Sequence, residues 1–428
     1  MKKITPAKQL KGIIRVPGDK SLTHRALILG ALAEGVVEIT GFSQAKDCAR
    51  TLYCLRQLGV QIKVDTHGKV VVLGKGLGGL VEPQQILFAG NSGTTLRLLA
   101  GVLSGQSFTS FLNGDASLRQ RPMGRIVFPL RKMGACIQGR KGGTYPPLAI
   151  TGKSLKPINH QLSVASAQAK SALLLAALYA PGWTEIKEPL PTRDHTEKML
   201  KAWGAKIEWY AGKCGIEGLP HLKARPVFIP GDFSAAAFFI VAALIVPHSH
   251  LKIEGVGLNP TRRGLLEVLQ AMGASIKVAE LKETAGEMYG TIEVKSSSLR
   301  GISIGGEIIP RLIDEVPILA VAALFAEGIT EIRGAAELKV KESNRLRALA
   351  KCLSRLGGQL EELPDGLRIH GGYPLQSALC SGYGDHRLVM SLAIAGLRIK
   401  GGIKVTHPEL TEISFPGFWD LLAELRCE

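Results

Sequence analysis

Six segments of the chain share one arrangement of apolar and polar positions. Each is a run of small and apolar residues almost free of charge, then a turn, then a stretch rich in β-branched residues. They read ALILGALAEGVVEITG (26–41), TLRLLAGVLSGQSFTSF (95–111), ALLLAALYAPGWTEI (172–186), FFIVAALIVPHSHLKI (238–253), ILAVAALFAEGITEI (318–332) and LVMSLAIAGLRIKGGIKV (388–405). Residues apolar on every side of a helix predict a helix buried all round. The β-branched stretch after each turn predicts a strand.

A second arrangement keeps the same beat. The motif L-x-x-x-G-x-x-I occurs as LRQLGVQI (55–62), LRKMGACI (130–137), LKAWGAKI (200–207) and LQAMGASI (269–276), with LSRLGGQL (353–360) as a fifth copy. Each predicts the end of a more polar helix, a glycine past its C-terminus and then a strand. A sixth helix of this kind, FWDLLAEL (418–425), lacks the glycine. Recurrence at this spacing marks an architectural repeat, longer than the periods of solenoid proteins. The pattern therefore predicts an α/β protein of six repeats, with one buried and one outer helix in each.

Length and charge refine the picture. A chain of 428 residues exceeds what a single core supports, so six repeats divide into two domains of three. The segment KARPVFIPGDFS (223–234), with prolines on both sides of a short strand, and its likeness to IRVPGDKS (14–21) suggest two crossings. Domain 1 is then expected to comprise residues 1–18 and 230–428, and domain 2 residues 19–229. MKKITPAKQLKG has no apolar h-region, and the apolar run from Ala235 to Pro247 is too short for a bilayer. Seven cysteines without a C-x-x-C pair point to a reduced cytoplasm with no zinc ribbon or disulfide framework. A net charge of +17 calls for anionic partners. The basic residues are dispersed, in runs no longer than pairs such as Arg262-Arg263, and only 5% of residues are aromatic, which argues against a nucleic-acid surface.

Candidate chemistry lies at the entrances of the buried helices. These carry GDKSLTHR (18–25), GNSGTTLR (90–97), SVASAQAKS (163–171), GDFS (231–234), RLIDEVP (311–317) and GDHR (384–387). Intervening loops add RQRP (119–122), TRDH (192–195) and KESNR (341–345). The first is no Walker loop, because no upstream glycine closes it ahead of Lys20. Free N–H groups and the positive dipole end make a helix N-terminus attractive to anions. Asp232 and Ser234 are expected there as helix caps. Lys20, His386 and Arg387 oppose the dipole, and the sequence suggests that an anion neutralises them. His248 and His250 read as exposed turn residues, His195 as a buttress of Arg193, and Cys136 as a small buried residue at a strand start.

Taken in order, GDKSLTHRA, GNSGTTLR, SLRQRPM, ASAQAKSALLLA, LPTRDHTEKML, LIDEVPILAVAALFAEG, LKVKESNRL and GDHRLVMSLAIAGL resemble the 5-enolpyruvylshikimate-3-phosphate synthases (3-phosphoshikimate 1-carboxyvinyltransferases) across essentially the whole chain. The resemblance implies a two-domain inside-out α/β barrel, each domain built of three βαβαββ units, with the active site in the interdomain cleft. It implies an enzyme that moves the enolpyruvyl group of phosphoenolpyruvate to the 5-hydroxyl of shikimate 3-phosphate through a tetrahedral intermediate, with no metal and no organic cofactor. A monomer inhibited by glyphosate, binding neither nucleic acid nor membrane, is expected.

Carried over by motif, Lys20, Ser21, Arg25, Ser166, Ala167, Gln168, Arg193, Asp314 and Lys341 would hold shikimate 3-phosphate. Lys20, Asn91, Gly93, Thr94, Arg121, Gln168, Glu342, Arg345 and Arg387 would hold phosphoenolpyruvate. Lys20, Asp314, Glu342 and His386 are the residues expected to be catalytic. Departures from the family pattern are Asn344 in place of aspartate, Ile413 before the final Phe-Pro in place of lysine, and Glu337 in place of asparagine. Two alternatives stand beside this reading. One is the sister enzyme that acts on a UDP-amino sugar, although NGDASLRQRPM lacks its reactive cysteine. The other is a basic RNA-binding protein of similar repeat.

Overall fold

The computed structural model describes residues 1–65 and 68–427. Its chain divides into two compact units: unit 1 holds residues 1–17, 230–282 and 288–428, and unit 2 holds residues 18–229 and 283–287.

In unit 2 the helices are α1 (Lys20–Leu32), α2 (Lys46–Gln57), α3 (Gly93–Ser104), α4 (Gly124–Lys132), the single turn α5 (Arg140–Gly143), α6 (Ala167–Ala177) and α7 (His195–Ala202). In unit 1 they are α8 (Phe233–Ile245), α9 (Gly264–Ala271), the short α10 (Ile308–Leu312), α11 (Val316–Leu324), α12 (Arg345–Arg355), α13 (His386–Gly396) and α14 (Phe418–Glu424). The helices predicted to be buried all round are α1, α3, α6, α8, α11 and α13. All lie in the cores, with every residue of α8 and α11 buried. Their small side chains permit close crossing. A β-carbon on Gly101 of α3 would stand 2.1 Å from the carbonyl oxygen of Ala172 in α6, so backbone meets backbone there. Unit 1 closes one end of its core with the rings of Phe239, Phe415 and Phe418, whose centroids are 5.5–5.8 Å apart.

Four sheets share one strand order. In the first repeat, 227–228 lies parallel to 34–40, which pairs antiparallel with 70–75, which pairs antiparallel with 61–64. The sheets around 109–113, 183–187 and 329–332 repeat this order, and the fifth adds an edge strand. The sixth has three strands, one from the N-terminus (Lys2–Ile4). Among the described residues the sheets are six separate open ones, so the inside-out arrangement lies in helices forming the cores and not in a closed sheet. The glycine of each L-x-x-x-G motif follows its helix with positive φ: Gly59, Gly134, Gly204, Gly273 and Gly357, at 80–102°. Among the described residues, no helix is long and apolar enough to cross a membrane.

Candidate functional site

Within unit 2, side-chain hydrogen bonds tie the helix entrances together. Asp19 caps α1 by accepting from the Leu22 N–H at 2.8 Å. The next residue, Lys20, reaches Asp47 of α2 at 2.9 Å. Arg25, one turn further and 4% exposed, spreads its guanidinium over three neutral oxygens. It donates to Thr196 Oγ1 (2.7 Å), Ser171 Oγ (2.7 Å) and the Ser21 carbonyl (3.0 Å). Burial, together with nearby Arg193, outweighs Glu197, Asp19 and Glu287 and lowers its pKa to about 10. A charge held that way gains by meeting an anion.

The entrances of α3 and α6 are coupled in the same manner. Ser92 caps α3 and Ser166 caps α6. Gln168 donates to Thr94 Oγ1 at 2.9 Å and accepts from Arg97 at 2.5 Å. Asn91 donates to Asp115 (2.8 Å) and accepts from Arg121 (2.5 Å). Ala167 opens α6 beside this pair, and Arg193 is half-buried ahead of α7. Gly93 is buried; a β-carbon there would stand 2.8 Å from Arg97 Nη1 and 3.5 Å from Arg121 Nη1. Its small size therefore gives two guanidinium groups their place. Arg97 closes the motif GNSGTTLR but carries no assigned role in the sequence, because an arginine one turn inside an apolar helix gives no spacing signal.

In unit 1 the entrances of α8, α11, α12 and α13 carry a charge network. Arg345, 1% exposed, donates to Asp385 (2.7 Å), Glu342 (2.5 Å) and Asp314 (3.4 Å). Burial pulls its pKa down, but Asp385, Glu342 and Asp314 more than offset that and hold it well above the ordinary value. Arg387 donates to the Asp314 carbonyl at 3.0 Å, and its Nη2 lies 3.9 Å from Asp314 Oδ2. Lys341 lies 3.8 Å from Asp314, and burial lowers its pKa despite that carboxylate. His386 is buried at the first position of α13, after the cap Asp385.

Sequence reasoning missed Arg262. This buried guanidinium meets Asp232 (3.1 Å), Ser234 Oγ (2.5 Å), Glu315 (3.4 Å) and Asp314 (3.8 Å). Its only sequence signal was adjacency to Arg263, which is turned to Glu267 at 3.8 Å.

Several expectations need correction. Lys20 and Arg387 are not left without counter-charge inside the protein, because Asp47 serves the first and Asp314 with Glu315 the second. Buried charge is too costly to leave without protein partners. Asp232 caps α8, but Ser234 is inside the helix and hydrogen-bonds Glu315. Cys136 is half-buried and not buried, since its strand (Cys136–Gly139) lies at the edge of its sheet. His195 bonds Glu287 at 2.8 Å. Asn344 caps α12 by accepting from Arg347, while Arg345 keeps its carboxylate partners, so the missing aspartate costs it no counter-charge. Ile413 ends a 3-10 turn (Pro408–Ile413), and Glu337 lies in another (Ala336–Val340), its charge acting on Lys341.

One group has the composition of a metal site: Asp194, His195 and Glu287, with ligand atoms within 4.8 Å of one another. The Lys198 ammonium stands 3.7 Å from Asp194 and 3.9 Å from Glu287, and already supplies positive charge there.

Residues 4–422 match the family EPSP synthase (3-phosphoshikimate 1-carboxyvinyltransferase). The 3-phosphoshikimate 1-carboxyvinyltransferase of Desulforamulus reducens is 50% identical over 99% of both chains. That of Pelotomaculum thermopropionicum is 52% identical over 98% of this chain and 97% of its own. The solved EPSP synthase of Acinetobacter baumannii superimposes with a TM-score of 0.89 at 42% identity, covering 99% of this chain and 97% of that one. The enolpyruvyl transferase NikO of Streptomyces tendae, at 19% identity and TM-score 0.79 over 99% of this chain and 96% of its own, shares the fold. The chain belongs to the EPSP synthase family, the 3-phosphoshikimate 1-carboxyvinyltransferases.

Proposed function

We propose that this protein transfers the enolpyruvyl group of phosphoenolpyruvate to the 5-hydroxyl of shikimate 3-phosphate and releases phosphate. The observation that carries the reading on this chain is Arg25, a buried guanidinium whose hydrogen-bond acceptors among the described residues are neutral oxygens and whose pKa is lowered to about 10. Such a group binds a multiply charged anion in preference to water.

Shikimate 3-phosphate is assigned to Ser21, Arg25, Ser166, Ala167, Arg193, Asp314 and Lys341. Phosphoenolpyruvate is assigned to Asn91, Gly93, Thr94, Arg121, Glu342, Arg345 and Arg387, with Lys20 and Gln168 serving both. Each unit sets carboxylates among its cations. Around Lys20, Arg25, Arg97, Arg121 and Arg193, unit 2 sets the carboxylates Asp19, Asp47, Asp115, Glu197 and Glu287. Around Arg262, Lys341, Arg345 and Arg387, unit 1 sets Asp232, Asp314, Glu315, Glu337, Glu342 and Asp385. The cations suit anion binding, and the carboxylates suit proton transfer. Both sets serve one reaction in this reading.

In it Asp314 takes the proton of the 5-hydroxyl as its oxygen attacks C2 of phosphoenolpyruvate, and a proton reaches C3, where Glu342, Lys20 and His386 assist. The tetrahedral adduct then loses a proton from the new methyl group as the C2–O bond to phosphate breaks. Glyphosate is proposed to occupy the phosphoenolpyruvate place beside Gly93. The protein is proposed to work as a monomer in the cytoplasm; Cys48, Cys54, Cys136, Cys214, Cys352 and Cys380 carry free thiols, in keeping with a reducing compartment.

The test is phosphate release from the two substrates together, with none from either alone. Asp314→Asn is expected to lower kcat roughly 10²- to 10⁴-fold with little change in KM. Near-normal turnover in that variant would overturn the assignment of Asp314.

A further inference from the structure

We propose that Arg262 is a positioning residue of this reaction: its buried guanidinium holds the adjacent carboxylates of Asp314 and Glu315 apart and keeps Asp314 ionised as the base. The inference rests on the assignment of Asp314 above. Arg262 is 3% exposed and stands just ahead of α9, with Nη1 3.4 Å from Glu315 Oε1 and 3.8 Å from Asp314 Oδ2. Its Nη2 arm is anchored on the α8 cap, at 3.1 Å from Asp232 and 2.5 Å from Ser234 Oγ. Ser234 in turn hydrogen-bonds Glu315. One guanidinium thus spans two helix entrances and touches three carboxylates.

The surrounding charges explain why this cation matters. Asp314 also faces Arg345 and Lys341 from the α12 entrance and Arg387 from α13. Each of these has another electrostatic partner: Asp385 and Glu342 for Arg345, Glu315 for Arg387, and Glu337 for Lys341. They are also the residues assigned to substrates, whose anionic groups compete with Asp314 for them. His386 lies next to Arg387 at the same entrance. Arg262 has no substrate assigned to it. Its charge remains with the carboxylate pair throughout the cycle.

The test is the pH profile of kcat with both substrates saturating. If Asp314 must be ionised, the acidic limb follows its pKa. An opposite charge within about 4 Å lowers a carboxylate pKa by one unit or more. Arg262→Gln is therefore expected to move the acidic limb up by roughly one pH unit, and Arg262→Lys, which keeps the charge, to restore it. Glu315→Gln removes a neighbouring negative charge and leaves Arg262 to Asp314, so the limb is expected to move down. This second variant keeps all four cations and the carboxylates Asp232, Asp314, Glu337, Glu342 and Asp385, and it tests the proposal even if Arg262→Gln does not fold.

A limb unmoved in Glu315→Gln, or moved upward, overturns the proposal. Asp314→Asn run in parallel separates the two ideas. If Asp314→Asn is inactive and the limbs stay put, the role of Arg262 falls and the base stands. If Asp314→Asn turns over normally, the base itself falls.

Discussion

Gly93 shows how one missing side chain sets a binding site. Its β-carbon would meet Arg97 Nη1 at 2.8 Å, and that guanidinium also donates to Gln168 and to the Pro122 carbonyl. Gly93→Ala is therefore expected to displace Arg97, raise KM for phosphoenolpyruvate roughly ten- to a hundredfold and weaken glyphosate inhibition. Steady-state kinetics with the inhibitor check this, and equal inhibition of both forms would refute it. Arg25 carries the opposite lesson, that a binding residue can strain the fold. A guanidinium whose folded pKa, about 10, lies below its unfolded value costs stability throughout the range where it is charged. Arg25→Met removes that cost and leaves Ser171 and Thr196 hydrogen-bonded to each other at 2.7 Å. The variant is expected to unfold at the same or higher temperature without ligand, yet to bind shikimate 3-phosphate at least a hundredfold more weakly, at about 1.5–3 kcal/mol per lost charge-assisted bond. Calorimetry measures both.

Helices α1, α2 and α3 are joined by a buried chain of hydroxyls. His24 Nδ1 meets Thr51 Oγ1, Thr51 meets Thr95 Oγ1, and Thr95 meets the cap Ser92 Oγ, each at 2.7 Å. Burial, with Lys20 and Arg25 nearby, holds the imidazole pKa well below its ordinary value. Below about pH 6.5 the unfolded chain takes up a proton that the fold refuses, so stability falls as pH falls until the lowered value is reached. Between pH 7 and 5 the loss from this one group is up to about 2 kcal/mol. His24→Asn is expected to remove that part of the pH dependence, as read from urea unfolding midpoints at both pH values. The six buried helices were legible because their residues are apolar all round, and five helix ends were legible because a glycine follows each. Hydroxyls such as Thr51 and Thr95 were not. A threonine carries the same letter whether it caps, packs or relays, and only contact between helices tells these apart.

A net charge of +17 surrounds chemistry on polyanionic substrates. Association is then expected to be steered by long-range attraction, which salt screens within about 10 Å at 0.1 M. kcat/KM for phosphoenolpyruvate should fall severalfold between about 20 and 200 mM potassium chloride while kcat changes little, and a flat profile would show that steering is absent. The six sheets show how the repeat is completed. Strand 227–228 returns to the first repeat of unit 2, and strands 2–4 and 9–15 join the sixth and fourth repeats of unit 1. In this way both units close their sheet sets with strands distant in sequence.

By itself the sequence determined the six repeats, their buried helices and the family, because each is written in local periodicity and in short ordered motifs. It also named most residues of both charge sets, since motif spacing places them at helix entrances. Only the tertiary structure decided how charge is balanced there. Asp232, Glu315 and Asp385 lie in different motifs from the cations they meet, and Asp47 and Arg262 lie outside every motif that was read as functional. Coulombic energy depends on separation in space and on burial, and neither is encoded in the spacing of residues along the chain.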